Sequence, residues 1–338
     1  MTQVLPMPNV APPVDSPTET MTTAPLALRR RLGQSDLRVF PLALGGNVFG
    51  WTADTQTTED ILDTYADHGG NFVDTADSYA GGRSEIMIGN WMRSRGNRDR
   101  VVVATKVGKG PDSPGVTANA VSQAVNDSLR RLRTDHIDLL YLHIDDANVP
   151  FEETLFAVDD LVRMGKVRYF GASDHVGDRL IEARVIAAQL GVTPMVAVQQ
   201  HYNLVHRRIF EADIARVAAQ QQLGVMPRFA LASGFLTGKY RSRADVARNP
   251  RGADAGRYLG RRGLRVLACL DAIVAEQHAQ GISSASVAAV SLAWLLTKRN
   301  VVAPVASASH AAQVLELMAA ATIQLSRHQL AALDRASA

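Results

Sequence analysis

The chain has 338 residues, 46% of them hydrophobic and 20% charged, enough apolar material for a large core and too much for a disordered or fibrous protein. Its 36 Lys and Arg against 33 Asp and Glu leave a net charge of +3, and the arginine clusters at 29–31, 130–131, 207–208 and 261–262 are scattered, which argues for solvated surface charge and against a nucleic-acid stripe. A lone cysteine, the absence of any run of about 18 apolar residues and the lack of a leader pattern point to a cytoplasmic protein of a reducing compartment, with no membrane partner.

Six of the 14 prolines fall in the first 25 residues, among Ser and Thr, so residues 1–28 read as a disordered, Pro-rich tail outside the fold. From residue 29 to 338 the texture changes to one domain of alternating segments. Short apolar runs at 40–44, 71–74, 101–105, 137–143, 167–172, 195–198, 224–226 and 301–305 read as strands. Helical spacing appears between them. At 57–68 it sets Ile61, Leu62 and Tyr65 on one face; at 117–132 a threonine cap precedes Val121, Ala124 and Leu129; and it recurs at 151–163, 176–190, 208–221 and 286–296. Cys269 lies in the apolar stretch 264–270 and reads as a small buried hydrophobe.

Strands that are apolar throughout and alternate with helices are the mark of parallel βα units, and eight of them predict an α/β fold of the closed (β/α)8 TIM-barrel type. An open doubly wound sheet would want G-x-G-x-x-G after its first strand; Gly45-Gly46-Asn47-Val48-Phe49-Gly50 lacks that spacing.

In such a barrel the chemistry sits where strands end and βα loops begin. Three neighbouring strand candidates each deliver a titratable group there: Asp74, Lys106 and His143, with Tyr79 a few residues past the first. Only five of the basic residues are lysines, so a lysine ending an apolar strand stands out, although a lysine leaving the core for water is the plainer alternative. A buried Lys106 needs Asp74 to offset its desolvation, and such a pair beside a phenol lowers the phenol's pKa from its reference of about 10. Tyr79 then serves as a proton donor, with His143 hydrogen-bonding the phenol or the substrate oxygen. The quartet supplies a proton but no hydride, which a cofactor must bring. His143, Asp145 and Asp146 cluster without a metal-ligand spacing, so no metal is expected and the two aspartates read as loop or capping residues.

At these residues the chain resembles the aldo-keto reductase family. Gly70-Asn71-Phe72-Val73-Asp74-Thr75-Ala76-Asp77-Ser78-Tyr79 looks like its G-x-N-x-x-D-T-A-x-x-Y signature, followed by Ser84-Glu85. Ala104-Thr105-Lys106 and Leu140-Tyr141-Leu142-His143 resemble the segments bearing its lysine and histidine. The stretches 165–173, Gln199-Gln200-His201-Tyr202-Asn203 and Leu236-Thr237-Gly238-Lys239-Tyr240 are similar to further motifs, so the likeness runs from about residue 30 to the C-terminus.

The resemblance implies a reductase of a small-molecule aldehyde or ketone that binds NADPH without a Rossmann domain, as a monomer or weak oligomer. Tyr79 becomes the general acid, completed by Asp74, Lys106 and His143. Ser173, position 174 and Gln199 would bind the carboxamide; Gly46 and Asn47 would border the nicotinamide; the loop from Arg228 through Leu231, Ser233 and Lys239 would follow the pyrophosphate; Ser307, Ser309, Gln313 and Glu316 would hold the adenosine end.

Three positions depart from the family pattern. Asp174 stands where Asn is common, Arg228 where an aromatic stacks on the nicotinamide, and Ser307-Ala308-Ser309-His310 where a basic residue often meets the 2′-phosphate. The first two would compensate if Arg228 lies flat on the ring while Asp174 pairs with it; the alternative is an Arg228 turned outward. The third weakens the NADPH preference and leaves NADH use open. Two other functions compete: a cofactor-binding regulatory subunit of the channel-associated type, and an aldolase forming a Schiff base at Lys106. Pocket walls are expected from Trp51, the 80–83 turn and an arginine-rich loop at 241–262.

Overall fold

The computed structural model describes residues 29–248 and 252–338; the expected N-terminal tail lies outside them. The eight-stranded sheet runs β10(Val305–Ala306), β3(Ala43–Gly45), β4(Phe72–Asp74), β5(Val102–Val107), β6(Ile137–Leu142), β7(Val167–Ser173), β8(Ala197–His201) and β9(Gly224–Arg228), each pair parallel. The segment entering β10 returns to β9 through the parallel bridge Val225–Val301, with Val225 N–H donating to Asn300 and Val302 N–H to Val225. This is the expected (β/α)8 barrel.

Strand residues alternate between two layers, as the period-2 pleat requires. Val73, Val103, Leu140, Phe170, Val198 and Val225 pack outward against the helices, while Phe72, Ala104, Leu139, Tyr141, Ala197 and Met226 fill the barrel. The base of the barrel is closed by a hairpin of β1(Arg30–Arg31) and β2(Arg38–Val39), whose Leu32, Leu37 and Val39 join the interior cluster.

The outer layer comprises α1(Thr55–Asp67), α2(Arg83–Arg95), α3(Ala118–Leu132), α4(Phe151–Arg163), α5(Gly177–Leu190), α6(Ala215–Gln220), α9(Arg261–Ala279), α10(Val287–Leu296), α11(Ala311–Met318) and α12(Arg327–Ser337), with α7(Arg243–Ala247) and α8(Gly252–Gly256) on the loop after β9. Local capping sets several of these starts. Asp54 accepts from Thr57 N–H and opens α1 two residues before the expected 57, whereas Thr117 caps α3 where the sequence places it.

Some boundaries differ from expectation. The first and last strands shift to Ala43–Gly45 and Val305–Ala306, and a π-turn at Phe210–Ile214 precedes α6 within the expected 208–221 helix. The stretch 241–262 is not a plain loop, because Ser242 and Asp245 form a reciprocal capping box that starts α7. Cys269 is half-buried on α9 rather than fully buried.

Gly33 lets the basal hairpin dock. It has φ +53°, and a Cβ there would lie 2.1 Å from the Val196 carbonyl oxygen. Gly33→Ala is therefore expected to lose about 2–4 kcal/mol through combined backbone strain and steric displacement of the hairpin. The urea midpoint of the variant against wild type measures this; an unchanged midpoint contradicts it.

Candidate active site

The strand register carries the four expected groups to one end of the barrel. Asp74 ends β4 and pairs with Ala104; Lys106 lies two residues beyond Ala104 on the same face, so its side chain returns to Asp74. Tyr141 on β6 pairs with Lys106, and His143 lies two residues beyond Tyr141. Lys106 is fully buried, and its Nζ donates to Asp74 Oδ1 at 2.6 Å, to the Thr75 carbonyl at 2.8 Å and to the Tyr79 hydroxyl at 3.4 Å. The same ammonium is 4.9 Å from the Tyr79 ring centroid. The His143 ring meets Tyr79 edge-on, centroids 6.3 Å apart.

The electrostatics follow from these contacts. Burial opposes the Lys106 charge, but Asp74 and Tyr79 outweigh it and hold the lysine pKa above its ordinary value. Burial first, and then the positive charges of Lys106, Lys109 and Arg228, lower the His143 pKa to about 2, so the imidazole is neutral. Its Nδ1 is buried without a hydrogen-bond partner in the protein.

Gln199 has a function that motif reading missed. Its Nε2 donates to Asp74 Oδ2 at 2.8 Å, so each carboxylate oxygen has a donor, and the amide oxygen is left to accept from another group. Ser173 is the register partner of Gln199, and its Oγ is buried with no partner in the protein. Asp174, directly past β7, has φ +62°. Its Oδ1 accepts from Arg228 Nε at 3.0 Å and Nη2 at 2.6 Å, so Arg228 is paired and not turned away.

The Ser84-Glu85 motif is structural support for this end. Ser84 Oγ donates to the Gly46 carbonyl at 2.8 Å and lies 2.7 Å from Thr75 Oγ1. Glu85, fully buried, accepts from Thr105 at 2.5 Å and from Arg131 Nε at 2.6 Å. It thereby ties α2 to β5 and α3. The spacing of a polar pair at the start of an otherwise apolar helix face was the available signal.

The remaining expected residues follow the C-terminal ends of β3, β9 and β10. Ser307 follows β10 and donates to Asn47, which follows the neighbouring β3. A Cβ at Gly45 would approach Ser307 Oγ to 2.6 Å and one at Gly46 would approach Ser84 Oγ to 2.8 Å, so glycine at both positions lets these serines pack directly against the backbone. Gln313 on α11 accepts from Ser309 N–H at 2.8 Å, and Glu316 is half-buried on the same helix. Leu231 and Ser233 are half-buried on the turn after β9, while Lys239 is exposed with its ammonium 5.2 Å from the Tyr240 ring centroid. Asp145 is taken up by a bidentate ion pair with Arg179, and Asp146 caps its own turn through Asn148. Trp51 is 60% exposed.

Among the described residues no helix is long and apolar enough to cross a membrane, and no group of three or more His, Cys, Asp or Glu side chains is placed to hold a metal ion. The sequence matches the model of the Aldo/keto reductase family over residues 41–338. It is 34% identical over 320 residues to "Aldo-keto reductase ausK" of Emericella nidulans, covering 88% of this chain and 78% of that protein. It is 31% identical to "Aryl-alcohol dehydrogenase [NADP(+)]" of Phanerodontia chrysosporium, covering 87% and 81%. It is also 33% identical to "Probable voltage-gated potassium channel subunit beta" of Oryza sativa subsp. japonica, covering 86% and 90%.

Depressed histidines give a pH dependence of stability. The folded chain holds His143 neutral down to about 2 and His201 down to about 3, whereas the unfolded chain protonates both near 6.5. Below about pH 6.5 the unfolded state binds more protons, so stability falls as pH falls. His143→Asn is expected to flatten the loss between pH 6.5 and 5 by about 1 kcal/mol per pH unit, read from urea midpoints at each pH. An identical slope in variant and wild type contradicts the assignment.

Proposed function

The chain belongs to the aldo/keto reductase family, and from that premise we propose that it is an NAD(P)H-dependent reductase converting a small aldehyde or ketone to an alcohol, with Tyr79 as general acid. The observation that carries this reading is the Lys106 ammonium, held between Asp74 at 2.6 Å and the Tyr79 hydroxyl at 3.4 Å.

The residues divide the work as follows. Tyr79 donates its proton to the carbonyl oxygen as negative charge develops there. The phenolate left behind is stabilised by the adjacent ammonium, whose own charge is secured by Asp74 and by the Thr75 carbonyl. Gln199 keeps Asp74 from turning away. A neutral His143 donates a hydrogen bond from one ring nitrogen, orienting the substrate oxygen without competing as an acid.

The mouth suits a nicotinamide cofactor. The orphaned Ser173 Oγ, next to the Gln199 side chain in register, offers a hydroxyl to a carboxamide. A bound nicotinamide supplies the hydride. Arg228, paired to Asp174, offers a planar face in place of the family's aromatic residue, and the pairing tempers the repulsion a bare guanidinium would exert on an oxidised ring. Leu231, Ser233 and Lys239 would follow the pyrophosphate, and Ser307, Ser309, Gln313 and Glu316 the adenosine. The 307–310 stretch offers hydroxyls but no Lys or Arg, which supports use of NADH beside NADPH.

The rice relative's name favours one second reading, a cofactor-binding regulatory subunit. Turnover of a simple aromatic aldehyde with NADPH supports the enzyme; tight cofactor binding without turnover supports the subunit. Tyr79→Phe is expected to bind cofactor like wild type yet lose about 10²–10⁴-fold in carbonyl reduction, followed by loss of cofactor absorbance. Near-normal turnover in that variant removes Tyr79 from its role. Titration of purified protein with the two cofactors is expected to give dissociation constants within about tenfold of each other, since the 2′-phosphate meets no cationic side chain in 307–310; a preference for NADPH of a hundredfold or more would show that other residues provide that charge.

A further inference from the structure

A chain of three charges spans the mouth above the reacting groups. Lys109 follows the end of β5 by two residues, Asp174 directly follows β7, and Arg228 ends β9. Asp174 Oδ1 takes two hydrogen bonds from Arg228, and its Oδ2 lies 3.7 Å from Lys109 Nζ. Because β6 lies between β5 and β7, the Lys109–Asp174 link crosses the end of β6, where His143 sits. Lys109 accordingly appears among the positive charges acting on His143.

Two of the positive groups at this end are taken up by short ion pairs, Lys106 by Asp74 and Arg228 by Asp174, which leaves Lys109 as the loosely held one. Arg228 is committed by two short hydrogen bonds. Lys109 meets Asp174 only at a distance longer than a hydrogen bond, and its side chain is 41% exposed, so its charge is the one available to a ligand.

The backbone around Lys109 is held in place. Asp77, buried at 4% exposure, accepts from Gly108 N–H at 3.1 Å and Gly110 N–H at 3.0 Å, the residues on either side. Gly108 has φ +116°, and a Cβ on Gly110 would stand 2.7 Å from Asp77 Oδ2. A lysine serving only solubility needs no buried carboxylate gripping both its neighbours. In a chain with five lysines, one is spent here.

We propose that Lys109 binds a carboxylate carried by the carbonyl substrate, so that the site selects anionic aldehydes or ketones over neutral ones of the same size. This rests on the reductase reading above. The substrate carbonyl lies at Tyr79 and His143 while its carboxylate extends toward the strap, where the ammonium turns from Asp174 to a second acceptor. Asp174 keeps Arg228, so the strap does not come apart when the ligand binds.

The test compares kcat/KM for 4-carboxybenzaldehyde and its methyl ester in wild type, Lys109→Met and Lys109→Arg, with NADPH and with NADH. The acid-to-ester ratio in wild type is expected to be about tenfold or more, to fall at least tenfold in Lys109→Met mainly through KM, and to recover largely in Lys109→Arg. A wild-type ratio near one, or a ratio unmoved by Lys109→Met, overturns the proposal while leaving the reductase reading intact. Failure of wild type to reduce either compound overturns the reductase reading and this proposal with it.

Discussion

One buried ion pair sets the terms for the rest of the molecule. An ammonium with no solvent access is tolerable only if its charge and each of its protons are met, and Lys106 achieves this with Asp74, the Thr75 carbonyl and the Tyr79 hydroxyl. Asp74 must in turn be satisfied on its other oxygen, which Gln199 does from four strands away in the sheet. The pair therefore couples β4, β5 and β8 across the interior of the barrel. A slip of one residue in β5 would turn Lys106 toward the helices and leave Asp74 buried alone.

Around that pair the polar residues separate into layers. Those pointing into the mouth are Asp74, Lys106, His143, Ser173 and Gln199. Those behind it, Thr75, Ser84, Thr105, Glu85 and Arg131, hydrogen-bond one another and the Gly46 carbonyl. The alternation of β5 explains the division, since Thr105 faces outward to α2 between the inward-facing Ala104 and Lys106. The Ser-Glu motif thus stabilises the wall that aims Tyr79. Above both layers the Lys109, Asp174 and Arg228 strap is partly solvated, with Arg228 held by Asp174 and Lys109 more loosely placed beside it.

The barrel was legible because most of its parallel strands are buried on both faces and read as apolar runs, the one at 137–142 most clearly. Helices with a clean apolar stripe, such as α1 and α3, were legible for the same reason. The helix α2 was not, because its buried face contains Ser84, Glu85 and Gly89 among its apolar residues, and that mixture erases the periodicity. The short α7 and α8 were hidden in an arginine-rich stretch whose helical turn depends on one capping box. The long α9 carries its apolar stripe from Val266 to Ile273 inside strongly charged flanks, and only its middle stood out.

Residue type and order along the chain already determined the parallel βα architecture and the identity of the titratable groups at the strand ends, because burial on both faces and strand period act locally. The tertiary structure alone decided which atoms meet. That Gln199 serves Asp74, that Asp174 takes Arg228 and faces Lys109, and that Asp77 grips the backbone beside Lys109 all join residues 31 to 125 positions apart. Contacts at such separations follow from barrel closure and register, which no local pattern encodes.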